Sequence, residues 1–159
     1  MQREEVYVHI TFCKKKCLYC DFPSYAGFPC KTMHDYAKAV LKEIHLRSLE
    51  AKNARPDATI FFGGGTPSLL PIEDIKLIVQ GLKETGFWKN PREATIEVNP
   101  GTADLKKLQA LCELGFNRIS FGVQSLNDCE LKAIGRIHTA REAIEAMHMA
   151  QAAGFNRIN

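Results

Sequence analysis

The sequence predicts an α/β fold with parallel strands, either a βα barrel or an open α/β sheet. Three observations predict it. Short apolar runs of β type alternate with longer segments whose apolar residues recur at helical spacing. A glycine follows three of the helical segments, at Gly86, Gly115 and Gly154, where a left-handed residue closes a helix. The five residues GFNRI occur at 115–119 and again at 154–158, each time at a helix-to-strand joint, an echo that supports serial βα units.

The elements follow in order. VYVHI (6–10), ATIFF (58–62), ATIEV (94–98) and RISFGV (118–123) read as buried strands. Residues 34–51, 72–85, 103–114 and 140–153 read as helices between and after them. In the second helix Ile75, Ile78, Val79 and Leu82 make one stripe, Pro71 stands just before it, and Glu73 and Asp74 fall in its first turn, where negative charge suits the helix dipole. A fifth strand begins at Asn156, and the chain stops inside it at Asn159, so residues 1–159 read as a single, incomplete domain of a longer protein.

With 45% hydrophobic and 25% charged residues, the composition is that of a soluble globular protein. The net charge of +3 is small and its basic residues are scattered, so charge neither suggests nor excludes a nucleic-acid or membrane partner, and no nucleic acid is expected. No secretory signal opens the chain, and no apolar run approaches the roughly 18–20 residues of a membrane span. A cytoplasmic location is expected.

Chemistry concentrates at the ends of the strands. Cys13, Cys17 and Cys20 form CKKKCLYC directly after the first strand. Three thiolates on one tight loop suit three irons of a cubane and leave the fourth iron open. The cysteines alone leave zinc open as well, with Cys30 or His9 supplying a fourth ligand. Cys30, Cys112 and Cys129 lie apart and read as ordinary small residues. FFGGGTP (61–67) ends the second strand, where glycines admit a ligand close to the backbone; it lacks the Gly-Lys-Ser/Thr ending of a phosphate loop. Glu97 sits in an apolar run and needs a ligand or a cation, unless alternation turns it outward. Gln124 ends the fourth strand, and Arg136 in GRIH suits a two-pronged bond to a carboxylate. In a parallel βα architecture these strand ends share one face, where ligands bind.

The segments YVHITFCKKKCLYCDF, FFGGGTPSLL, ATIEVNP and RISFGVQSLNDCELKAIGRIHT span nearly the whole chain. In order and spacing they resemble the radical S-adenosylmethionine (SAM) superfamily, in particular the oxygen-independent coproporphyrinogen III oxidase family and its heme-chaperone relatives. The resemblance implies a partial (β/α) barrel, of which this chain would hold the first four βα units and the start of a fifth strand. It implies a 4Fe–4S cluster on Cys13, Cys17 and Cys20, with SAM on the open iron. Tyr7, Tyr19, Gly64, Gly65, Thr66, Glu97, Gln124 and Arg136 match SAM-contacting positions. It further implies an electron donor, a heme or porphyrinogen bound by the longer protein, and a heme-acceptor protein in the chaperone branch.

The oxidases carry an additional cysteine two residues after the third ligand and a longer N-terminal extension. Here Phe22 occupies that position and Tyr7 is near the start, which points to the heme-chaperone branch. Thr11 stands where the family has proline, a change expected to loosen the cluster loop by about 0.4–1 kcal/mol. An aspartate that contacts SAM in the family would fall beyond Asn159. An exposed strand edge predicts poor solubility for the chain on its own, and the missing half predicts no complete turnover.

Overall fold

The computed structural model describes residues 5–49 and 58–159. The first strand, β1 (Glu5–Ile10), is followed by the short strands β2 (Phe12–Cys13) and β3 (Tyr25–Ala26), which pair with each other. Then come α1 (Cys30–Leu46), β4 (Thr59–Gly64), α2 (Ile72–Thr85), β5 (Glu93–Val98), α3 (Leu105–Leu114) and β6 (Arg118–Phe121). Two helices, α4 (Asp128–Ala133) and α5 (Ala140–Ala152), complete the order. β1, β4, β5 and β6 lie side by side in that order, every pair parallel. Ile158 bridges Ile119 in parallel, and Asn159 N–H donates to the Ile119 carbonyl at 3.1 Å, so the start of the next strand is in place.

The strands bury alternate residues. Val8, Ile10, Ile60, Phe62, Ala94, Ile96, Val98 and Ile119 join Ile75, Ile78, Val79, Leu82, Leu108 and Leu111 in one core beneath the helices. The period-2 pleat sends Tyr7, His9, Phe61, Gly63, Glu93, Thr95, Glu97, Arg118 and Ser120 to the other face. A parallel sheet with helices on both faces would carry apolar residues throughout its strands. Here one face is polar, each strand adds beside its predecessor, and α1 touches α2, α2 touches α3, and α3 touches α5. The sheet is therefore a singly wound barrel sector, which decides between the two architectures that the pattern left open. No helix among the described residues is long and apolar enough to cross a membrane.

The repeated GFNRI has a physical basis. Gly115 and Gly154 take φ of +110° and +106°, and Phe116 and Phe155 N–H donate five residues back to the carbonyls of Leu111 and Ala150. Both joints are the same left-handed helix exit with a buried aromatic after the glycine. The repeat also delivers two arginines to one acid: Arg118 and Arg157 lie 3.3 and 3.8 Å from the two carboxylate oxygens of Glu93.

Several boundaries differ from expectation. α1 begins at Cys30, a turn before His34, because the extended backbone of Pro29 presents its carbonyl to Thr32 and Met33 N–H. It closes at Leu46, and the expected end at Ala51 lies outside the described residues. α3 begins at Leu105, two residues after Ala103, because the Asp104 side chain caps it by accepting from Lys107 N–H at 2.8 Å. β6 stops at Phe121, short of Val123, as Gly122 N–H turns to the Val98 carbonyl and Val123 N–H to Phe121. α4 had no periodic signal long enough to read.

Candidate functional site

The loops after β1, β4, β5 and β6 open on the same end of the sheet and enclose a cavity of about 220 Å³. Cys13, Cys17, Cys20, Tyr19, Gly64, Gly65, Thr66, Glu97, Gln124 and Arg136 all line it. Ten of the eleven residues singled out in the sequence thus share one wall. Tyr7 does not line the cavity. It stands on the polar face of β1, stacked on Phe61 at 6.0 Å, with its hydroxyl 3.1 Å from His9 Nδ1.

The cysteine loop is held from both sides. Cys13 lies in β2, and Cys20 N–H closes a turn onto the Cys17 carbonyl at 3.2 Å. Leu18 N–H donates to the Ile134 carbonyl at 3.2 Å, tying the loop to the end of α4, and Lys16 Nζ donates to the Phe22 carbonyl at 3.1 Å. Two of the sulfurs receive donors: Thr66 Oγ1 reaches Cys13 Sγ at 3.7 Å and Arg136 Nη1 reaches Cys17 Sγ at 3.2 Å.

The glycine turn is shaped by contact with β1. Gly65 N–H donates to the Ile10 carbonyl at 2.6 Å and Thr66 N–H to the Phe12 carbonyl at 2.7 Å. A Cβ on Gly65 would fall 2.6 Å from the Phe12 oxygen, so only glycine allows this approach. Gly64 N–H donates to Glu97 Oε2 at 3.1 Å, so a backbone amide, rather than the ligand or cation the sequence suggested, faces the carboxylate here. Burial raises the Glu97 pKa, and the Gly64 N–H and the charge of His9 oppose the rise. Burial also raises the Tyr19 hydroxyl pKa, against the nearby Arg136 guanidinium.

Gln124 lies beyond the strand rather than at its end, with φ of +72°, a conformation uncommon outside glycine. His138 anchors this bend: Nε2 donates to the Val123 carbonyl at 3.1 Å, and burial lowers the imidazole pKa. Arg136 donates to the Gly122 carbonyl and, at 2.6 Å, to Asn99 Oδ1, while its Nε is buried with no acceptor among the described residues. Lys15, Phe22, Asn99 and Ser120 line the cavity without having been expected there. Asn99 and Ser120 had a readable signal: each sits in strand register with Glu97, Asn99 two residues on and Ser120 its partner across the ladder.

The donor set suits a cluster better than a single ion. No three His, Cys, Asp or Glu side chains among the described residues converge tightly enough for one metal ion. The fourth zinc ligands allowed by the sequence do not line the cavity: His9 bonds Tyr7 and the Pro23 carbonyl, and Cys30 is exposed at the start of α1. Three thiols open to one cavity, with an unpartnered guanidinium N–H beside them, fit a thiolate-held iron–sulfur cluster next to a carboxylate ligand.

The sequence pattern of the Radical SAM superfamily matches residues 7–159. The chain belongs to the radical SAM superfamily. Among radical SAM relatives, it is 36% identical to the heme chaperone HemW of Haemophilus influenzae over 97% of this chain and 41% of that protein. It is 40% identical to the heme chaperone HemW of Synechocystis over 89% of this chain and 35% of that protein. The solved coproporphyrinogen III oxidase HemN of Escherichia coli superposes with a TM-score of 0.86 at 29% identity, over 99% of this chain and 36% of that one. The radical SAM segment described here thus spans about two fifths of the length of the curated relatives it matches.

Proposed function

We propose that this chain is the cluster- and SAM-binding part of a heme-chaperone-like radical SAM protein. The observation that carries the reading is the common cavity wall formed by Cys13, Cys17, Cys20, Gly64, Gly65, Thr66, Glu97, Gln124 and Arg136. In this reading the three cysteines would hold a 4Fe–4S cluster, with SAM bound beside it in the same cavity. Once bound, the cofactors supply the one-electron chemistry on the sulfonium.

The chain's own residues orient and shield. Arg136 brings a guanidinium, suited to a carboxylate, to the cavity wall, and its buried Nε has no acceptor among the described residues. The bare backbone of Gly64 and Gly65 admits the methionyl end of SAM, and the Thr66 hydroxyl faces the same space. Glu97 and Gln124 offer further polar contacts, and the rings of Tyr19 and Phe22 line the same cavity. Tyr7 contributes from the layer below, near enough to Glu97 for the carboxylate to raise its pKa, after burial.

Phe22, in place of the oxidases' additional cysteine, and the heme-chaperone relatives support binding and transfer of heme by the longer protein. An electron donor, a heme-acceptor protein and a cytoplasmic location complete this reading. The superposition on HemN supports a second reading, oxidative decarboxylation of coproporphyrinogen III. Anaerobic reconstitution of the chain, with iron and sulfide analysis and SAM titration, tests the shared site. Four irons and four sulfides per chain with SAM-dependent spectral change are expected, and stoichiometric zinc without sulfide would overturn the proposal. Heme titration of the longer protein separates the branches: saturable one-to-one binding is expected for the chaperone reading.

A further inference from the structure

Asn99 stands between two of the three cysteines without touching either. Its Oδ1 lies 2.6 Å from Arg136 Nη2, and its Nδ2 lies 2.8 Å from Thr66 Oγ1. A guanidinium has only donors, so the amide atom facing Arg136 must be the oxygen. That settles the direction of the amide from chemistry alone. The amide nitrogen therefore faces Thr66 and fills a lone pair of its hydroxyl. The hydroxyl keeps one proton, and Cys13 Sγ at 3.7 Å is the acceptor that receives it, a normal reach for the larger sulfur atom. On its other side Asn99 holds the guanidinium that places Nη1 3.2 Å from Cys17 Sγ.

The hub is itself fixed. The Asn99 carbonyl accepts from Thr102 N–H at 3.0 Å and from Thr102 Oγ1 at 2.6 Å. Thr102 Oγ1 also lies 2.5 Å from Ser68 Oγ, and Lys107 Nζ donates to the Ser68 and Leu70 carbonyls at 2.6 and 2.7 Å. One amide, just past the end of β5, thus orders two donors, one from the loop after β4 and one from the segment after β6, toward two sulfurs of the same cysteine loop.

We infer that Asn99 is a positioning residue that sets the polarity of the hydrogen bonds reaching Cys13 and Cys17, and so raises the reduction potential of the cluster they hold. This rests on the reading of the three cysteines as cluster ligands. Hydrogen bonds to the sulfurs favour the reduced cluster, which carries more negative charge, and such bonds are a main lever on cluster potential. Asparagine is required because it both accepts and donates. An aspartate of the same shape would still hold Arg136, but it offers Thr66 an acceptor and turns the hydroxyl proton away from Cys13.

The test is a mediated redox titration of the anaerobically reconstituted chain without SAM, followed by the electron paramagnetic resonance signal of the reduced cluster. Asn99→Asp is expected to titrate at a more negative potential than the unaltered chain. Thr66→Val, which removes the hydroxyl without adding charge, is expected to shift the same way, and Thr66→Ser to return to the unaltered value. If Asn99→Asp does not assemble, the Thr66 pair carries the comparison. Unaltered potentials in Thr66→Val and Asn99→Asp, at full iron and sulfide content, would overturn the inference alone. An unaltered chain that takes up no iron and sulfide would overturn it together with the functional reading.

Discussion

Adding one methyl group at Gly65 isolates the close approach between the glycine turn and β1. The new Cβ would sit 2.6 Å from the Phe12 carbonyl oxygen and 3.0 Å from the Ile10 carbonyl oxygen. Both obstacles are backbone, so no side chain can swing aside and the turn itself must move. Moving it lengthens the 2.6 Å bond from Gly65 N–H to Ile10 and the 2.7 Å bond from Thr66 N–H to Phe12. Two net hydrogen bonds at about 1 kcal/mol each, plus about 1–3 kcal/mol for overpacking, put the cost of Gly65→Ala at about 3–5 kcal/mol. Gly101→Ala is the matched control. Gly101 has φ of +76° but nothing within 4 Å of its added Cβ, so only the left-handed backbone penalty of about 1–2 kcal/mol applies. Urea unfolding of the metal-free chain reads both costs, and SAM titration of the reconstituted chain reads the site. Gly65→Ala should be the less stable of the two and should lose SAM binding, while Gly101→Ala keeps it. Equal stability of the two variants, with SAM binding intact in Gly65→Ala, would refute the reasoning.

Three further outcomes are expected. Phe62→Leu and Phe116→Leu should couple by about 0.5–1.5 kcal/mol in a double-mutant cycle, since the rings meet edge to face at 5.0 Å; strict additivity in urea unfolding would remove the aromatic term. Burial raises the Glu97 pKa, so its contribution to stability is full below the ordinary glutamate range and is lost as pH rises through the raised value. Glu97→Gln should therefore flatten the stability–pH curve just above that range, and an unchanged curve counts against a buried Glu97. Glu93→Gln removes the acid shared by Arg118 and Arg157 and should cost about 0.5–1 kcal/mol, shrinking with added salt; a loss that salt does not change would mean the pairs act by packing alone.

Much of the fold was legible because each element carries its own local signal. The Ile75–Leu82 stripe is buried as its period requires, and the glycines closing α2, α3 and α5 take the left-handed conformation that stops a helix. The strands alternate buried and open residues, a pattern that survives in the sequence because side chains change faces at every step. The site was legible as a set of residue types at strand ends: three thiols, a bare backbone, a carboxylate and a guanidinium. Asn99 was passed over although it shares a face with Glu97, since an asparagine before a proline reads equally well as a turn.

What the sequence by itself determined was the order of the four main strands and of the long helices, the parallel α/β class and much of the wall around the three cysteines. These follow from local periodicity, from helix-ending glycines and from motif spacing, all of which act over a few residues. Only the tertiary structure decided that the sheet is singly wound, that Glu97 turns to the Gly64 N–H, and that Asn99 stands between the donors to Cys13 and Cys17. Those contacts join residues 33 to 37 positions apart, and their geometry depends on how neighbouring strands stack rather than on any one segment.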